Sequence, residues 1–472
     1  MNLSKALDLS RGDVIALTGG GGKTTTMFRL AAELANDPTA NMRVLTTTST
    51  RIFAAQIKHS PTHLIFNPEQ QVIADLLSPL QAALDEYGQV LLVGQADFQS
   101  GKAFGLPSET VDTLAASGRF DLIINEADGS RMRPFKAPAE HEPVIPASTT
   151  LVMPVVGLDV LNRPLNDDTV HRANRVSHLS GTGLGQPITT ETIVAVLCHP
   201  EGSLKNVPSQ ARVIPLLNKV EDPSRRAAAQ AIAARLLDSE RIDSVIIGAV
   251  QASAEPVLEV HRRPAAIVLA AGGSSRFGSP KQLARWGEQT FIERVVDVAL
   301  ASPARPVIVV LGAEVSQSRA ALGQRPVEVV VNKAWAEGQS TSMQAGLAAL
   351  PPNIGSALFM LVDLPGVTPD VVEAVIQRHR ETLAPIVWPE FRGKRGHPVL
   401  FDRTLFPDLI QVSGDTGGRP VLLAYKDRTE RVAVESGGIL LDFDRPEDLE
   451  AMENNELRIV NGSADDSQLS QT

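Results

Sequence analysis

Short apolar runs, separated by stretches with helical spacing, recur along this chain and limit the folds that it can adopt. A first series runs through VIAL (14–17), RVLTTT (43–48), VLLVG (90–94), LIIN (122–125), TLVMPVV (150–156), VIPLLN (213–218) and SVIIGAV (244–250). A second series follows with AAIVLAA (265–271), VIVVLG (307–312), VEVVVN (327–332), ALFMLVD (357–363) and PIVWP (385–389). Nearly continuous apolar strands that alternate with helices are typical of a parallel sheet covered on both faces. We therefore predict an α/β fold with two doubly wound domains.

The break between the two series lies in ASAEPVLEVHRRPA (252–265), which has two prolines, mixed charges and no clear period. A chain of 472 residues is also too long for one typical domain. We expect a first domain at 1–255, a linker at 256–264 and a second domain at 265–455, whereas the polar, acidic residues 456–472 suggest a disordered tail. The alternative is one large sheet interrupted by a loop.

Composition excludes several classes of protein. The net charge of −10 argues against nucleic acid as the main partner, because such binding needs clustered Lys and Arg. Cys198 is the only cysteine, so an internal disulfide and a thiolate-rich metal site are both excluded. No apolar run approaches 18 residues, and the first residues lack the apolar core of a signal peptide. We expect a cytoplasmic protein without a membrane partner.

A glycine-rich stretch, LAAGGSSRFGSPKQL (269–283), follows the first strand of the second series. Gly272 and Gly273 lack Cβ atoms, which lets backbone N–H groups approach an anion closely. Arg276 and Lys281 add positive charge, which suits a triphosphate whose negative charge grows during reaction. The alternative is a turn that only joins a strand to a helix.

Carboxylates occur later in the same half of the chain. Asp363 ends the apolar run 357–363, and ligands of open α/β sheets bind at such strand ends. Asp442 and Asp444 lie in LLDFDRPEDL (440–449), and we take Asp444 as the second carboxylate. Carboxylate oxygens suit Mg²⁺, which keeps several waters and bridges phosphates. Each aspartate alone could equally be a turn residue or a helix cap.

A second glycine loop, LTGGGGKTTT (17–26), follows the first strand of the chain. It is P-loop-like but departs from the standard pattern, which requires glycine where Leu17 stands. The glycines Gly19, Gly20, Gly21 and Gly22 are expected to offer consecutive exposed N–H groups, Lys23 a phosphate cation and Thr24 a hydroxyl for Mg²⁺. The anion would lie at a helix N-terminus.

Other strand ends of the first half support nucleotide binding there. Glu126 and Asp128 end the run 122–125 like the acidic, metal-side element of P-loop folds. LLNKVED (216–222) faintly resembles a guanine-reading Asn-Lys-x-Asp element, although its acid comes one residue late. We expect ATP or GTP at this site, and hydrolysis stays open. The alternative is a purely structural loop.

The segment from about 265 to 450 resembles the molybdenum cofactor nucleotidyltransferases, most of all their cytidylyltransferase branch. The ordered motifs are LAAGGSSRFGSPKQL, NKAWAEGQSTSMQAGL, VDLPGVTP, RGKRGHPVLF, GDTGGR and DFDRPEDL. The resemblance implies a Rossmann-like nucleotidyltransferase domain with Arg276, Lys281 and Asp363 as catalytic residues. It implies nucleotide contacts at Leu269, Ala271, Gly272, Gly273, Ser275, Asn332, Gly338 and Ser340. It implies Mg²⁺ at Asp363 and Asp444, and a pterin substrate bordered by Gly396, His397, Pro398, Asp415 and Arg419.

The same resemblance implies a reaction and favours a nucleotide. The terminal phosphate of molybdenum-molybdopterin would attack the α-phosphorus of CTP, and pyrophosphate would leave. Cytidylyl members resemble LAAG at the loop entry and guanylyl members LAGG; Ala271 occupies the deciding place, where its methyl group would crowd a purine. We expect His397 to position substrate, because the attacking phosphate is already anionic. Guanylyl transfer, a phosphosugar substrate and a cofactor carrier gated by nucleotide hydrolysis remain as alternatives.

Residues 1–250 resemble the YqeC-like family of putative selenium-dependent hydroxylase accessory proteins. The matching stretches are TGGGGKTT, TTTSTR, NEADGSRMRPFKAP and GLDVLNRPLNDDTVHR. This resemblance implies an accessory, nucleotide-binding domain and a client molybdenum hydroxylase as partner.

Overall fold

The computed structural model describes residues 1–38, 42–50, 52–67, 70–97, 102–273 and 280–443. The chain forms two compact units, Met1–His261 and Arg262–Thr472. Each unit has a sheet with helices, so the predicted α/β class is confirmed. Ser275, Arg276 and Asp444, which the sequence analysis selected, lie outside the described residues, as does the predicted tail 456–472.

The described elements of the first unit are numbered in chain order. Its strands are β1 (Asp13–Gly19), β2 (Val44–Thr48), β3 (Ile52–Phe53), β4 (His63–Ile65), β5 (Gln89–Val93), β6 (Ala96–Asp97), β7 (Lys102–Ala103), β8 (Leu122–Glu126), β9 (Phe135–Lys136), β10 (Leu151–Gly157), β11 (Val170–His171), β12 (Arg212–Val213), β13 (Leu216–Asn218), β14 (Val245–Gly248) and β15 (Val257–His261). Its α-helices are α1 (Leu3–Leu7), α2 (Lys23–Ala35), α3 (Ile73–Tyr87), α4 (Ser108–Ala116), α5 (Ala173–Ser180), α6 (Thr190–Cys198) and α7 (Pro223–Leu236).

The main sheet of this unit has the order β15-β14-β13-β10-β1-β8-β2-β5-β4, and β12 also pairs with β10. Neighbouring strands of this sheet run parallel, except that β14 and β15 are antiparallel to each other. Leu17 of β1 lies opposite Glu126 of β8, which in turn lies opposite Thr48 of β2. The glycine loop after β1 and the ends of β8 and β2 therefore share one edge of the sheet.

The predicted linker differs from the structure. Val257–His261 forms β15, and β16 of the second unit begins at Arg263. The charged residues of this strand made it look like a polar linker in the sequence. Its Glu259 is nevertheless buried, because the carboxylate accepts hydrogen bonds from Gln230 at 2.8 Å and from Arg226 at 2.5 Å. Its other oxygen lies 2.6 Å from His261 Nε2. Paired charges can thus occupy a buried strand that reads as polar.

The second unit has elements numbered onward from these. Its strands are β16 (Arg263–Ala270), β17 (Arg285–Trp286), β18 (Gln289–Thr290), β19 (Val307–Leu311), β20 (Glu328–Val331), β21 (Ile354–Leu361), β22 (Ile386–Phe391), β23 (Lys394–Arg395), β24 (Val399–Asp402) and β25 (Thr429–Ala433). Its α-helices are α8 (Phe291–Ala301), α9 (Val315–Leu322), α10 (Gln339–Ala348), α11 (Pro369–Thr382), α12 (Phe406–Ile410) and α13 (Arg419–Ala424).

The sheet of the second unit is mixed, whereas the apolar runs had predicted a parallel one. Its order is β20-β19-β16-β21-β24-β22-β23, with β25 paired to β22. The first four strands are parallel, but β24 runs antiparallel to both β21 and β22. The connection from Phe391 to Val399 is too short for the crossover that a parallel neighbour needs, so β24 returns in the opposite direction.

Buried apolar strands form the centre of both units. Every residue of β5, β10 and β19 is buried, in agreement with the apolar runs. Helix α2 begins at Lys23, next to the predicted start at Thr24, and buries Met27, Leu30 and Leu34. Within the described ranges, no helix is both long enough and apolar enough to cross a membrane.

Candidate functional site

In the second unit, two parallel strands place the glycine loop beside a carboxylate. β16 and β21 pair in register, with Leu269 opposite Leu361. The Val362 N–H donates to the Leu269 carbonyl at 3.3 Å. The chain leaves β16 for the glycine loop and leaves β21 for Asp363 at the same edge of the sheet. This is the edge at which open α/β sheets bind ligands.

Lys281 joins two carboxylates at this edge. Its Nζ donates to Asp363 Oδ2 at 3.2 Å and to Asp442 Oδ1 at 3.1 Å. Burial lowers the pKa of Lys281, but the two carboxylates raise it more, so the net pKa lies above its ordinary value. The structure places Asp442 here, whereas Asp444, the carboxylate predicted from the same motif, lies outside the described residues. Asp442 is therefore a further carboxylate of this site, and the role of Asp444 stays a prediction.

The metal expectation can be tested on the donor atoms. Among the residues that the structure describes, no three His, Cys, Asp or Glu side chains gather as a metal-binding group. Asp363 and Asp442 nevertheless offer oxygen atoms on either side of Lys281, and their side chains are 30% and 52% exposed. Accessible carboxylates of this kind fit Mg²⁺, which binds through one or two of them together with substrate phosphates.

The loop entry is partly buried. Leu269 and Ala271 are buried, and the Ala271 carbonyl accepts from the Ala313 N–H at 3.0 Å. Gly272 is exposed, and no described residue lies within 4 Å of the place where a Cβ would stand. At Gly273 a Cβ would lie 2.9 Å from the ring of Trp335, an aromatic that the sequence analysis did not select. The Trp335 contact gives Gly273 a packing reason beside any anion contact.

Asn332 uses three of the four hydrogen-bonding positions of its side-chain amide inside the protein. Its Nδ2 donates to Thr341 Oγ1 at 2.8 Å and to Ser342 Oγ at 3.0 Å, and its Oδ1 accepts from the Ala334 N–H at 2.9 Å. The residue is also buried. In this arrangement Asn332 fixes the turn before α10. A direct nucleoside contact stays a prediction, and it would use the second lone pair of Oδ1 or replace one of these bonds.

The start of α10 meets the GDTGGR loop. The φ of Gly338 is +122°, and a Cβ there would lie 2.5 Å from the carbonyl carbon of Gly414. The Gln339 N–H donates to Asp415 Oδ1 at 3.1 Å. The buried Ser340 Oγ has no hydrogen-bond partner among the described residues. Segments chosen for the nucleoside and for the pterin are therefore neighbours, and Arg419 at the start of α13 is exposed.

His397 lies between buried neighbours in the GHP segment. Burial and the charge of Arg395 lower the pKa of His397 to about 4, so its ring is neutral near pH 7. Its buried Nδ1 has no hydrogen-bond partner within the described ranges. Pro398 is buried, and a Cβ on Gly396 would lie 2.5 Å from Ile439. A neutral ring can accept a hydrogen bond from a substrate but cannot serve as a fixed cation.

The glycine loop of the first unit differs from its expected form. The Gly19 N–H donates to Asp128 Oδ2 at 3.1 Å, the Gly20 N–H to the Val155 carbonyl at 2.8 Å, and the Gly21 N–H to the Arg133 carbonyl at 3.2 Å. The prediction of consecutive exposed N–H groups is therefore wrong for these three positions. The cause is close packing: a Cβ on Gly21 would lie 2.2 Å from the nitrogen of Gly157.

The first turn of α2 remains the natural place for an anion in this loop. N–H groups of a first helical turn have no acceptor within the helix and carry partial positive charge. Gly22 precedes this turn with a φ of +128°. Lys23 and Thr24 are its first residues. An anion would thus contact the end of the loop rather than its whole length.

Lys23 and Thr24 are tied to the strand-end acids. Lys23 Nζ lies 3.3 Å from Asp128 Oδ1 and 3.6 Å from Glu126 Oε1, and Thr24 Oγ1 donates to Glu126 Oε2 at 2.7 Å. Burial lowers the pKa of Lys23, but the two carboxylates raise it above its ordinary value. Burial raises the pKa of Glu126 above its ordinary value. The charge of Lys23, which is shared with Asp128, offsets this effect of burial only in part.

A second buried lysine extends this network and was missed from the sequence. Lys136 Nζ contacts Asp128 Oδ2 at 3.1 Å and Glu142 Oε2 at 2.6 Å. Arg172 reaches the same Glu142 carboxylate at 2.7 Å. Burial raises the pKa of Glu142, but Arg172 and Lys136 outweigh it and hold that pKa at about 2. Pairing of β9 with β11 brings these distant residues together, a signal that local spacing does not carry.

A cavity of about 360 Å³ opens beside this loop. Its lining comes from the glycine loop and the first turn of α2, the segments after β10 and β13, and the end of β14: Gly21, Gly22, Thr25, Asp159, Arg163, Asn218, Lys219, Glu221, Arg225, Ala249, Val250 and Gln251. The LLNKVED segment therefore lies next to the glycine loop of the first unit. The volume falls within the range of small-molecule sites.

Two family models match the chain, one in each unit. Residues 15–174 match the model described as YqeC protein. Residues 266–429 match the model described as MobA-like NTP transferase domain.

Curated relatives divide in the same way. The chain is 32% identical over 241 residues to the uncharacterized protein YqeC of Escherichia coli (strain K12), covering 51% of this chain and 89% of that protein. It is 32% identical over 163 residues to nicotine blue oxidoreductase of Paenarthrobacter nicotinovorans, covering 33% and 79%. It is 27% identical over 184 residues to molybdenum cofactor cytidylyltransferase of Escherichia coli (strain K12), covering 39% and 91%.

Proposed function

Because the chain belongs to the YqeC family through its first unit and to the MobA-like NTP transferases through its second, we propose that the second unit transfers CMP from CTP to the terminal phosphate of molybdenum-molybdopterin. The products are molybdopterin cytosine dinucleotide and pyrophosphate. The first unit serves as a nucleotide-binding accessory domain in the maturation of a molybdenum hydroxylase. The cytidylyltransferase among the relatives supports the choice of reaction.

One observation carries the transferase proposal: a charged lysine bridges two accessible carboxylates beside the glycine loop. Lys281, Asp363 and Asp442 lie within 3.2 Å contacts at the ligand-binding edge of the sheet. Phosphoryl-type transfer needs positive charge where negative charge develops and a geometry that keeps attacking and leaving oxygens in line. A bare structural turn has no need of this cluster.

The residues divide the work by their chemistry. Asp363 and Asp442 would hold Mg²⁺, with Asp444 a further predicted ligand, and the ion would offset charge on the triphosphate. Lys281, and by prediction Arg276, add fixed positive charge. The loops that meet at Gly338 and Asp415 orient nucleoside and pterin relative to each other. The neutral His397 accepts a hydrogen bond and positions substrate.

An activity assay tests the transferase proposal. The full chain is incubated with molybdenum-molybdopterin, Mg²⁺ and either CTP or GTP, and products are identified by mass. We expect product with CTP and its loss in Asp363→Ala. The matched control is Asp370→Ala, which changes an exposed aspartate in the first turn of α11. Near-normal turnover in Asp363→Ala would overturn the metal assignment, and product with GTP alone would make the unit a guanylyltransferase.

Nucleotide choice has its own variant. Ala271 is buried at the loop entry, where a methyl group leaves less room for a purine. We expect Ala271→Gly to raise the rate with GTP relative to CTP. An unchanged ratio would remove Ala271 as the specificity residue. No nucleotide product from either substrate would instead favour the carrier alternative or the redox activity named for the Paenarthrobacter relative.

The accessory role of the first unit rests on Lys23, Thr24, Glu126 and Asp128 at one sheet edge. We expect the wild type to bind ATP or GTP and Lys23→Ala to bind neither. Equal binding by both proteins, measured with excess CTP to occupy the second unit, would discredit the phosphate-loop assignment.

A further inference from the structure

We infer that the cavity beside the first glycine loop binds the base of a guanine nucleotide, whose phosphates lie at the first turn of α2. This inference rests on the nucleotide binding proposed for the first unit and deepens it by naming the base. It uses residues that the transferase reaction leaves aside. Gly21 and Gly22 line the same cavity as Glu221 and Gln251, so one ligand in it can reach both pairs.

Asn218 fixes the relative positions of three segments around this cavity. Its Nδ2 donates to the Gly21 carbonyl at 2.9 Å, and its Oδ1 accepts from the Val250 N–H at 3.0 Å. The side chain is buried, and a Cβ on Gly22 would lie 2.6 Å from it. The Asn218 amide thus joins the glycine loop of the first unit to the end of β13 and to the segment after β14. Asn218 is a positioning residue whose bonds set the distance between phosphate and base sites.

The structure also decides between the two acids of LLNKVED. Asp222 is the N-cap of α7: it accepts from the Arg225 N–H at 2.8 Å and pairs with Arg225 Nε at 3.3 Å. Glu221 is exposed and lines the cavity. The acid that is one residue late is therefore a helix cap. The fourth position of the Asn-Lys-x-acid pattern carries Glu221 as the carboxylate that faces a ligand.

A carboxylate at this place distinguishes bases by their hydrogen-bonding edges. Guanine presents the N1–H and the 2-amino group side by side, and a carboxylate can accept from both. Adenine presents the N1 lone pair at the same edge, which repels a carboxylate. Xanthine has a carbonyl at position 2 and is repelled as well. A site built to accept hydrogen bonds from a ligand rejects analogues that lack the donors.

Lys219 supplies a wall for the base. Its Nζ donates to Asp159 Oδ2 at 2.9 Å, which holds the charged end at the rim. Its Cδ lies 3.2 Å from the position of a Cβ on Gly157, so the methylene stem lies beside the end of β10. Such stems cover apolar surfaces while the charge stays in water. Ala249 and Val250 add apolar lining to the same cavity.

A binding experiment on the full chain tests this inference. GDP, ADP and XDP are titrated separately in Mg²⁺ buffer with excess CTP, and only binding that Lys23→Ala abolishes is assigned to the first unit. We expect wild type to prefer GDP over ADP and over XDP at least tenfold. We expect Glu221→Gln to lose that preference and to gain affinity for XDP, because an amide N–H can donate to the carbonyl at position 2. The matched control Asp222→Asn should keep the wild-type preference.

The outcomes separate the two levels of the proposal. Lys23-dependent binding with equal affinity for GDP and ADP, or a Glu221→Gln variant that keeps the wild-type preference, overturns the guanine assignment and leaves nucleotide binding intact. Absence of any Lys23-dependent binding overturns both. A shift of preference in Asp222→Asn but not in Glu221→Gln overturns the choice of acid.

Discussion

The two glycine loops follow the first strand of their units, yet they use glycine for different reasons. In the first unit Gly19, Gly20 and Gly21 pack against backbone, and their three N–H groups already have protein acceptors. Lys23 there is buried among carboxylates. In the second unit Gly272 is exposed, and Lys281 contacts carboxylates that solvent reaches. Similar sequence therefore produces a preassembled, buried ionic site in one case and an open site in the other.

The largest predicted difference is in the free energy of unfolding, between a variant of Lys136 in the first unit and a variant of Lys281 in the second. Lys136→Met leaves the buried Asp128 and the partly buried Glu142 without their shared cation, and we expect a loss of about 3–5 kcal/mol in the free energy of unfolding. Lys281→Met leaves carboxylates that water can solvate, and we expect a loss of about 1 kcal/mol or less. Urea unfolding measures both.

The signals for this comparison can be separated. Trp286, Trp335 and Trp388 are the three tryptophans, and all lie in the second unit, so fluorescence follows that unit while circular dichroism follows both. Equal losses in the two variants would contradict the distinction between buried and open sites. Restoration of stability in Lys136→Met by adding Glu142→Gln would support it.

The second prediction concerns activity and separates the loops by function. Removing the Lys281 charge should lower CMP transfer by about 100- to 1,000-fold, the cost of losing one electrostatic contact to a transition state. Thr24→Val, which removes a hydroxyl bonded to Glu126 in the other loop, should leave transfer within about twofold of wild type. Loss of transfer in Thr24→Val would mean that the first loop takes part in the chemistry.

The third prediction concerns the glycines. Gly21→Ala places a methyl group 2.2 Å from the Gly157 nitrogen at a φ of +84°, and we expect a loss of about 2–3 kcal/mol in stability. At Gly272 a Cβ meets no described residue within 4 Å, and we expect Gly272→Ala to change stability by about 0.5 kcal/mol or less. Thermal unfolding of both variants measures the contrast. A strong effect at Gly272 would show that the second loop is packed after all.

Sequence predicted the parts of this comparison that depend on local pattern. Apolar runs located β1 and β8 in the first unit and β16 and β21 in the second. Because each pair is parallel, the sequence also predicted that Lys23 and Glu126 lie at one edge of the first sheet, and that Asp363 lies at the edge where β16 ends. It did not predict which N–H groups the protein itself would occupy, because acceptors such as the Val155 carbonyl come from distant strands.

Long-range pairing explains the remaining misses. Lys136 and Arg172 meet at Glu142 only because β9 pairs with β11. The sequence did not predict β15, because its charged Glu259 can be buried only through bonds to Arg226 and Gln230 on α7. The antiparallel β24 depends on the length of a connection rather than on the strand's own residues. Each of these features is determined by contacts between segments, which periodicity along one segment does not encode.

The last prediction, the smallest of the four main effects, tests how far the stability of the ionic network of the first unit depends on pH. The pKa of Glu142 in the folded protein is about 2, below its ordinary value of 4.5, because Arg172 and Lys136 outweigh burial. Its stabilisation is therefore complete above pH 4.5 and is lost as the pH falls toward 2. Allowing for solvent screening, we expect this contribution to be about 2 kcal/mol.

Urea unfolding of wild type and Glu142→Gln between pH 6 and pH 2 would measure this dependence, with Glu240→Gln, an exposed glutamate of the same unit, as control. The Glu142 variant should lose less stability than wild type over this range, because it has no carboxylate left to protonate. The control should follow wild type. Parallel curves for all three proteins would mean that Lys136 and Arg172 do not hold the carboxylate in its charged form, and the buried network would then be no more acid-sensitive than the open site of the second unit.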